Sequence, residues 1–546
     1  MNTKARWMRK MVAGAMAGSL LAASASGAAA QDADLTQASA QAEIENVILL
    51  VPDGMAIDAT ALARWYKGSA LTLDSMASGL VRTHSADAPI ADSAPAGTAF
   101  ATGYKSHTGF VGVLPDEATT PGVPTVDPAD ARKPIASVLE AAKLDGKATG
   151  IIATSEIMHA TPADFTAHYP NRGNYDALSM QQVYNGVDVV LGGGSQFLTR
   201  EGRPDGANLI TSIQALGYDY ITTPDELRQT DAAKVWGMFA PRAMAYDMDR
   251  DPAEQPSLAE MTDKAIELLD RDEDGFFLMV EGSKVDWAAH ANDPIGILSD
   301  VLAFDEAVKV ALDFAKEDGS TAVIAVTDHG NGGLTIGDRA TSGTYDKEPL
   351  SAFIGPLKKA KLTGEGVEGK LNEGRTNVEQ VMADYYGITD LTDEELQAIR
   401  DAQPGRLNYA VGPMISARAH IGWTTGGHTG GDVVLYTYAP EGAERPMGVI
   451  DNTDIAWYMA ESLGLDLDAT SERLFVDAKK AFAAIGADYR TDGDQLVVTL
   501  DGQTLELPFH KSIARLDGKS VALEGVIVHN GKRIYVPQQA VELLAS

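Results

Sequence analysis

The chain has 546 residues, of which 45% are hydrophobic and 22% are charged, and its formal net charge is -33 at pH 7. This composition predicts a soluble globular protein with one large domain and a smaller one. The strong acidity argues against nucleic acid and anionic membrane as main partners, because both are negatively charged. The absence of cysteine excludes disulfides, thiolate metal sites and a cysteine nucleophile.

The N-terminal residues 1–30 have the pattern of a secretory signal peptide. Basic residues among the first ten precede a stretch rich in alanine, glycine and leucine, and Ala28–Ala30 precede Gln31. We expect cleavage after Ala30, which predicts a periplasmic or secreted protein. An uncleaved membrane anchor is the alternative, but serine and glycine interrupt the apolar stretch.

Apolar runs that end at polar side chains predict the buried strands of a sheet. These runs are 44–51, 149–153, 275–280 and 321–327, with 187–191 as a further candidate, and they alternate with the helical stretches 135–144, 258–269 and 297–314. The fold class is therefore α/β, with a mostly parallel central sheet flanked by helices. Asp53, Glu281 and Asp328 follow three of these runs, at the edge where such sheets place their sites. Carboxylates gathered there imply cations, although each alone could be a helix cap or turn residue.

A serine lies at the start of a predicted helix over residues 92–103. Asp92 can cap this helix, and Ser93 would lie in its first turn with an exposed hydroxyl. The unpaired amides and partial positive charge of a helix start favour a bound anion. The segment therefore suits a nucleophile, and a capped alanine-rich helix without chemistry is the alternative.

Histidines and aspartates occur at spacings that suit metal binding. Asp286 and His290 are four residues apart, so they share one face of a helix, either as ligands or as a surface pair. His329 directly follows Asp328 and precedes the turn-forming sequence GNGG. His428 is enclosed by glycines, which favours use as a ligand or in catalysis over packing.

Seven short motifs follow one another along the chain: DGM at Asp53, DSAPAGTA at Ser93, HATP at His159, NR at Arg172, EGSKVDWAAH from Glu281, TDHGNGG at Asp328 and GGHTGGD at His428. In this order they resemble the alkaline phosphatase family, and the resemblance covers roughly residues 45–465. Any one motif is weak evidence, whereas seven in order are specific. The resemblance implies an alkaline phosphatase-like fold.

The resemblance also implies three metal ions and a set of phosphate-binding residues. The first zinc takes Asp286, His290 and His428; the second takes Asp53, Asp328, His329 and the Ser93 oxygen; and a magnesium takes Asp53, Thr161 and Glu281. Ser93 is then the nucleophile, Arg172 binds the phosphate oxygens, and Asp92, His159 and Trp287 orient or tune the site. Cobalt can replace zinc at such His/Asp sites, and the His159 and Trp287 pair leaves the identity of the third ion open.

These implications predict an alkaline phosphatase that hydrolyses small phosphate monoesters through a phosphoserine. Extra positive charge at the third ion suits a dianionic monoester, while a phosphodiesterase of the same superfamily is the alternative enzyme. The sulfatase branch is disfavoured because its C/S-x-P-x-R motif is absent around Ser93. A catalytically silent metal- or phosphate-binding protein is a further alternative, although such a protein needs no nucleophile. Family members are commonly homodimers, and no membrane or nucleic-acid partner is expected.

The domain organisation is predicted as a catalytic domain over 44–470 and a small α+β domain over 473–546. Within the first, residues 350–420 form an insertion with helices over 377–386 and 393–400, either near the site mouth or as surface elaboration. In the second, Asx-Gly pairs separate short strands such as 496–500 and 526–528, between helices over 476–485 and 537–544. This region resembles the copper amine oxidase N-terminal-like domain. It can serve wall binding or dimerisation, or be a passive appendage.

Overall fold

The computed structural model describes residues 43–545, so the predicted signal segment lies outside the described residues. The strands up to residue 451 are β1 (Asn46–Pro52), β2 (Ala77–Arg82), β3 (Ala148–Glu156), β4 (Val189–Gly193), β5 (Asp219–Ile221), β6 (Val235–Met238), β7 (Phe276–Gly282), β8 (Thr321–Val326), β9 (Gly330–Asn331), β10 (Thr335–Ile336), β11 (Ile421–Gly422), β12 (His428–Thr429), β13 (Val433–Tyr438) and β14 (Gly448–Asp451).

The α-helices up to residue 474 are α1 (Ile57–Lys67), α2 (Ser93–Thr102), α3 (Val138–Leu144), α4 (Ala160–Asp164), α5 (Tyr175–Asn185), α6 (Leu209–Ala215), α7 (Pro224–Gln229), α8 (Leu258–Leu269), α9 (Lys284–His290), α10 (Pro294–Asp318), α11 (Leu350–Leu357), α12 (Gly364–Glu368), α13 (Val378–Tyr386), α14 (Asp393–Asp401), α15 (Asn408–Arg418), α16 (Asn452–Ser462) and α17 (Leu467–Leu474). None of the helices in residues 43–545 is long and apolar enough to cross a membrane.

A ten-stranded sheet forms the centre of the molecule, in the order β14-β2-β13-β8-β1-β7-β3-β4-β6-β5. All neighbouring strands are parallel except in the two pairs that include β13. Every residue of β1, β7 and β8 is buried, because helices cover both faces of a parallel sheet. The predicted α/β fold with a mostly parallel sheet is confirmed, and β8, β1 and β7 are adjacent.

Local signals explain where the predicted helices begin and end. The helix predicted over 258–269 has those bounds, because Ser257 and Glu260 form a reciprocal capping box at its start. The helix predicted over 297–314 is longer, from Pro294 to Asp318. Asp293 caps its start, and Gly319 ends it in a left-handed conformation with φ of 81°.

The insertion over 350–420 consists of α11 to α15 and contacts the elements that carry His290. The Nζ atom of Lys284, in α9, donates to Glu365 Oε1 over 3.1 Å. Ser416 Oγ donates to the carbonyl oxygen of Asn292 over 3.1 Å. The predicted helices over 377–386 and 393–400 are α13 and α14, within one residue of the predicted bounds.

The C-terminal portion, residues 473–545, is built of short antiparallel hairpins and two helices. Its elements are β15 (Val476–Asp477), α18 (Ala478–Ala484), β16 (Asp488–Asp492), β17 (Gln495–Leu500), β18 (Gln503–Pro508), β19 (Ile513–Leu516), β20 (Lys519–Ala522), β21 (Val528–His529), β22 (Ile534–Val536) and α19 (Gln538–Ala545). Its own apolar core includes Phe482, Val498 and Leu505.

Hairpin turns in this portion lie at the predicted Asx-Gly pairs. Asp501 and Gly502 both have positive φ between β17 and β18, as do Asp517 and Gly518 between β19 and β20. Two predicted elements differ from the structure. The helix predicted from residue 476 begins at Ala478, because Val476–Asp477 pair with β22. The strand predicted over 526–528 is β21, which begins only at Val528.

Candidate active site

Ser93 is the first residue of α2 and lies at the floor of the site. All ten residues of α2 are buried, and Ser93 is 2% exposed, so the expected exposed hydroxyl is wrong. The hydroxyl instead hydrogen-bonds to Nε2 of His329 over 3.1 Å. Alanine and glycine along α2 make this possible, because small side chains let neighbouring elements close over the helix.

The carboxyl ends of β1, β7 and β8 bring the predicted acidic ligands to one place. Asp53, Glu281 and Asp328 are all fully buried there. The turn after β1 requires Gly54, which has φ of 69°, and a Cβ atom at this position would lie 2.6 Å from Asp286 Oδ1. Its backbone N–H donates to Asp328 Oδ1 over 3.2 Å, which fixes one oxygen of that carboxylate.

The predicted first-metal ligands form one cluster. Ligand atoms of Asp286, His290 and His428 all lie within 4.8 Å of one another. His290 Nε2 is 3.3 Å from Asp286 Oδ2 and 3.2 Å from His428 Nε2. The Nδ1 atoms of both histidines face backbone carbonyls at 2.8 Å, those of Gly426 and Ala91, so each Nδ1 carries the proton. The two Nε2 lone pairs therefore face each other, which suits a cation between them.

The predicted second-metal ligands form an adjacent cluster. Asp53, Asp328 and His329 offer ligand atoms within 4.8 Å of one another, and all three are fully buried. His329 Nε2 lies 3.1 Å from Asp328 Oδ2 and 3.6 Å from Asp53 Oδ1. The His329 ring stacks on that of His428 with centroids 3.6 Å apart, so the two clusters are in direct contact.

A third group lies on the other side of Asp53. Asp53, His159 and Glu281 offer ligand atoms within 4.8 Å of one another. Thr161, in α4, is fully buried, and its Oγ1 atom has no hydrogen-bond partner among the described residues. His159 thus joins a group that was predicted to contain Asp53, Thr161 and Glu281, while its predicted role was in orienting phosphate.

Burial and mutual repulsion make the ionised form of these carboxylates unfavourable unless cations are bound. Burial, followed by repulsion from Asp328, Asp286 and Glu281, raises the pKa of Asp53 well above its ordinary value. Burial, with repulsion from Asp328, raises the pKa of Glu281 to about 8. Among the described residues, both Asp53 oxygens, one Glu281 oxygen and one Asp328 oxygen are buried without a hydrogen-bond partner, although His329 Nε2 lies near Asp53 and Asp328. Buried carboxylate oxygens of this kind fit bound metal ions.

Arg172 contacts Asp92, the residue before Ser93, and is held on two sides. Its Nη1 atom donates to Asp92 Oδ1 over 2.5 Å, and its Nη2 atom donates to His159 Nε2 over 3.1 Å. Burial, with the charge of Arg172, lowers the pKa of His159 to about 3, so its ring is neutral and can accept this bond. The rings of Trp287 and His159 meet in a T-shaped contact, with their centroids 5.9 Å apart. The planar guanidinium suits two oxygens of one phosphoryl group.

Sequence reasoning missed one residue that holds a predicted metal ligand, Asp286, in place. Asn331 is buried, and its Nδ2 atom donates to Asp286 Oδ1 over 2.7 Å and to the Asp286 carbonyl over 3.1 Å. It belongs to the glycine-rich turn after His329, and β9 pairs there with β12, which carries His428. An asparagine inside that turn was the available signal, because its amide can bridge neighbouring polar groups.

Comparison with known proteins identifies the families that the chain matches. Residues 44–465 match the family model for alkaline phosphatase, and residues 466–543 match that for the copper amine oxidase N-terminal domain. Alkaline phosphatase 4 of Bacillus subtilis (strain 168) is 38% identical over 436 residues, which cover 76% of this chain and 88% of that protein. Both predicted resemblances are thereby confirmed.

Solved structures of alkaline phosphatases have the same fold. That of Thermus thermophilus has a TM-score of 0.69 and 29% identity, over 78% of this chain and 92% of that chain. A variant of the alkaline phosphatase from the Antarctic bacterium TAB5, with histidine replaced by glutamate and Mg bound in the M3 site, has a TM-score of 0.56 and 25% identity, over 78% of this chain and 99% of that chain. The chain therefore belongs to the alkaline phosphatase family, whose members are metal-dependent phosphomonoester hydrolases.

Proposed function

We propose that the chain is a secreted or periplasmic alkaline phosphatase that hydrolyses phosphate monoesters through a phosphoserine on Ser93. The observation that carries this proposal is the contact of Ser93 Oγ with His329 Nε2 at 3.1 Å, inside the buried cluster with Asp53 and Asp328. A hydroxyl surrounded by side chains that can bind cations suits a nucleophile, because cations held there would make it easier to deprotonate.

The residues of the two adjacent clusters would hold two zinc ions, with cobalt as the alternative. The first ion is assigned to Asp286, His290 and His428, and the second to Asp53, Asp328, His329 and Ser93. Bound there, the ions supply Lewis acidity, which activates a serine or a water and stabilises a leaving oxygen. The imidazole and carboxylate donors support this choice, since both are common ligands of zinc.

The side chains around Ser93 would position the phosphoryl group. Ser93 attacks phosphorus in line with the ester oxygen, which leaves as the alcohol, and water then releases phosphate from the serine. Arg172 binds two non-bridging oxygens, and its bond to Asp92 keeps the guanidinium next to Ser93. The N-terminus of α2 adds a partial positive charge beneath the same group.

The residues around Glu281 would hold a third ion, which would favour monoesters over diesters as substrates. The group of Asp53, Thr161 and Glu281, with His159 beside it, would hold magnesium, because oxygen ligands suit this hard cation. The TAB5 variant with Mg bound in its M3 site is a family example of a third metal position. A monoester bears a dianionic phosphoryl group, so further positive charge favours its binding. A phosphodiesterase of the same superfamily remains the alternative activity.

Three measurements on the purified protein test the proposal. Metal-replete protein should release phosphate from a nitrophenyl monoester far faster than nitrophenol from bis-nitrophenyl phosphate, and the opposite preference would favour a diesterase. Elemental analysis should give two zinc or cobalt ions and one magnesium per chain. N-terminal sequencing of the exported protein should begin at Gln31 if Ala30 ends a signal peptide. Absence of any phosphate release from metal-replete protein would reject the assigned activity.

A further inference from the structure

The C-terminal portion touches the segment that carries Arg172. Gln181, in α5, donates from Nε2 to Nδ1 of His510 over 3.1 Å. The His510 ring also meets the Tyr169 ring edge-on, with centroids 6.1 Å apart. Ser512 Oγ donates to the carbonyl oxygen of Tyr184 over 2.7 Å, so the contact continues along α5.

Gln181 links His510 to the backbone close to Arg172. Its Oε1 atom accepts from the His168 N–H over 2.9 Å, and its Nε2 atom donates to the His168 carbonyl over 3.1 Å. Gln181 is fully buried, so its second N–H depends on His510 for a partner. Three residues after Tyr169, the Arg172 N–H donates to the carbonyl oxygen of Gly109 over 2.8 Å.

His510 adopts a backbone conformation that residues other than glycine rarely take. Its φ is 63°, in the left-handed region, and its N–H donates to the Ile527 carbonyl over 2.6 Å. Such a conformation is unfavourable for a residue other than glycine, and it persists where the surrounding contacts require it. Burial, and then the neighbouring His529, lowers the pKa of His510 to about 4, so its ring is neutral and Nδ1 can accept from Gln181.

We propose that His510 is a positioning residue for Arg172. It acts through its contacts with Gln181 and Tyr169, so that the C-terminal portion supports phosphate binding. This inference rests on the proposed function, in which Arg172 binds the phosphoryl oxygens. It assigns a task to a portion of the chain that supplies none of the predicted metal ligands.

Calorimetric binding of inorganic phosphate to the metal-replete full chain tests the inference without relying on turnover. His510→Ala should weaken phosphate binding by about three- to tenfold, the effect of one lost hydrogen bond at a buried partner. His510→Asn should bind nearly as wild type, because its amide oxygen can accept from Gln181 and asparagine tolerates positive φ. His529→Ala is the matched control, since this histidine of the same portion stacks on Phe509, and it should bind phosphate as wild type.

The double variant Arg172→Ala/His510→Ala separates positioning from general destabilisation. If His510 acts through Arg172, adding His510→Ala to Arg172→Ala should weaken phosphate binding no further. Equal affinities of wild type and His510→Ala, or the same loss in the Arg172→Ala background, would overturn the inference. If His510→Ala does not fold, phosphate binding by His510→Phe and His510→Asn is compared instead. Only His510→Asn keeps an acceptor for the Gln181 N–H, so only this variant should bind phosphate nearly as wild type. Failure of the proposed function differs from either result, because wild type itself would then release no phosphate.

Discussion

Arg172 Nη1 and Asp92 Oδ1 are 2.5 Å apart, although Asp92 occupies the N-cap position of the helix that begins at Ser93. The second oxygen of Asp92 accepts from the Gly109 N–H over 3.2 Å, so the carboxylate makes no capping bond to α2. The expected capping bond is therefore absent, while the capping position itself is as predicted. The first turn of the helix remains without a side-chain cap, which leaves its partial positive charge available to an anion.

Replacing Asp92 should weaken phosphate binding more than it destabilises the fold. In Asp92→Ala, Arg172 loses its charge-assisted bond, and we expect the inhibition constant of inorganic phosphate to rise roughly tenfold. Metal content should stay unchanged, because Asp92 is not among the predicted ligands. Asp92→Asn is the control, since its amide oxygen can still accept from Arg172 and should preserve part of the affinity. Unchanged phosphate inhibition in both variants would contradict the role given to Asp92.

Ser93 can be tested directly as the site of covalent attachment. Ser93→Ala should lower kcat by at least about a hundredfold, because no side-chain oxygen remains to accept the phosphoryl group. Wild-type protein quenched in acid during turnover should gain the mass of one phosphoryl group on the peptide that contains Ser93. Thr98, five residues further along the same helix, gives a matched control, since Thr98→Ser keeps a hydroxyl on α2 and should still label at Ser93. Equal labelling of Ser93→Ala and wild type would place the intermediate elsewhere.

The fold and the clustering of acids were predictable because they depend on local patterns. Asp53 and Asp328 lie at the ends of apolar runs, so a parallel sheet brings both to the same edge. The burial of Ser93 was not predictable, since it depends on elements that pack over α2 from distant parts of the chain. The same holds for the place of His159 in the third group, which needs α4 to approach the end of β1.

Asn331 should matter for metal affinity although it binds no metal itself. Its amide holds Asp286 Oδ1 over 2.7 Å, and loss of such a support typically weakens metal binding about ten- to a hundredfold. Asn331→Ala should therefore require more zinc for half-maximal activity, while kcat at saturating zinc stays close to wild type. Titration of chelator-treated protein with buffered zinc measures this. Asn331→Asp is informative as a comparison, because a second carboxylate beside Asp286 would repel it. Identical zinc titrations for wild type and Asn331→Ala would count against the orienting role.

His159 should determine which cation the third group prefers. A carboxylate is a harder ligand than imidazole, so His159→Asp should bind magnesium more tightly, by at least about tenfold. Activity measured against magnesium concentration at constant zinc gives the affinity. Trp287→Phe is the control, because it keeps an aromatic ring against position 159 and adds no ligand. If His159→Asp and wild type need the same magnesium concentration, His159 lies outside the metal-binding group.

Removing the metals should destabilise the protein more strongly as the pH rises. In metal-free protein, burial and repulsion from Asp328 raise the pKa of Glu281 from 4.5 to about 8, and the pKa of Asp53 is raised as well. The folded state thus keeps protons that the unfolded chain loses, so this contribution to stability is present below pH 4.5 and is lost as the pH rises through about 8. Metal ions neutralise the same carboxylates.

Thermal unfolding between pH 5 and 9 checks this expectation with and without chelator. The unfolding midpoint of the metal-free protein should fall by several degrees across this range. Readdition of zinc and magnesium should raise this midpoint, and the increase should be largest at the alkaline end. Glu281→Gln keeps the shape of the side chain but cannot ionise, so its metal-free profile should be flatter. Parallel profiles for metal-free wild type and Glu281→Gln would show that Glu281 stays ionised and that another buried group sets the pH dependence.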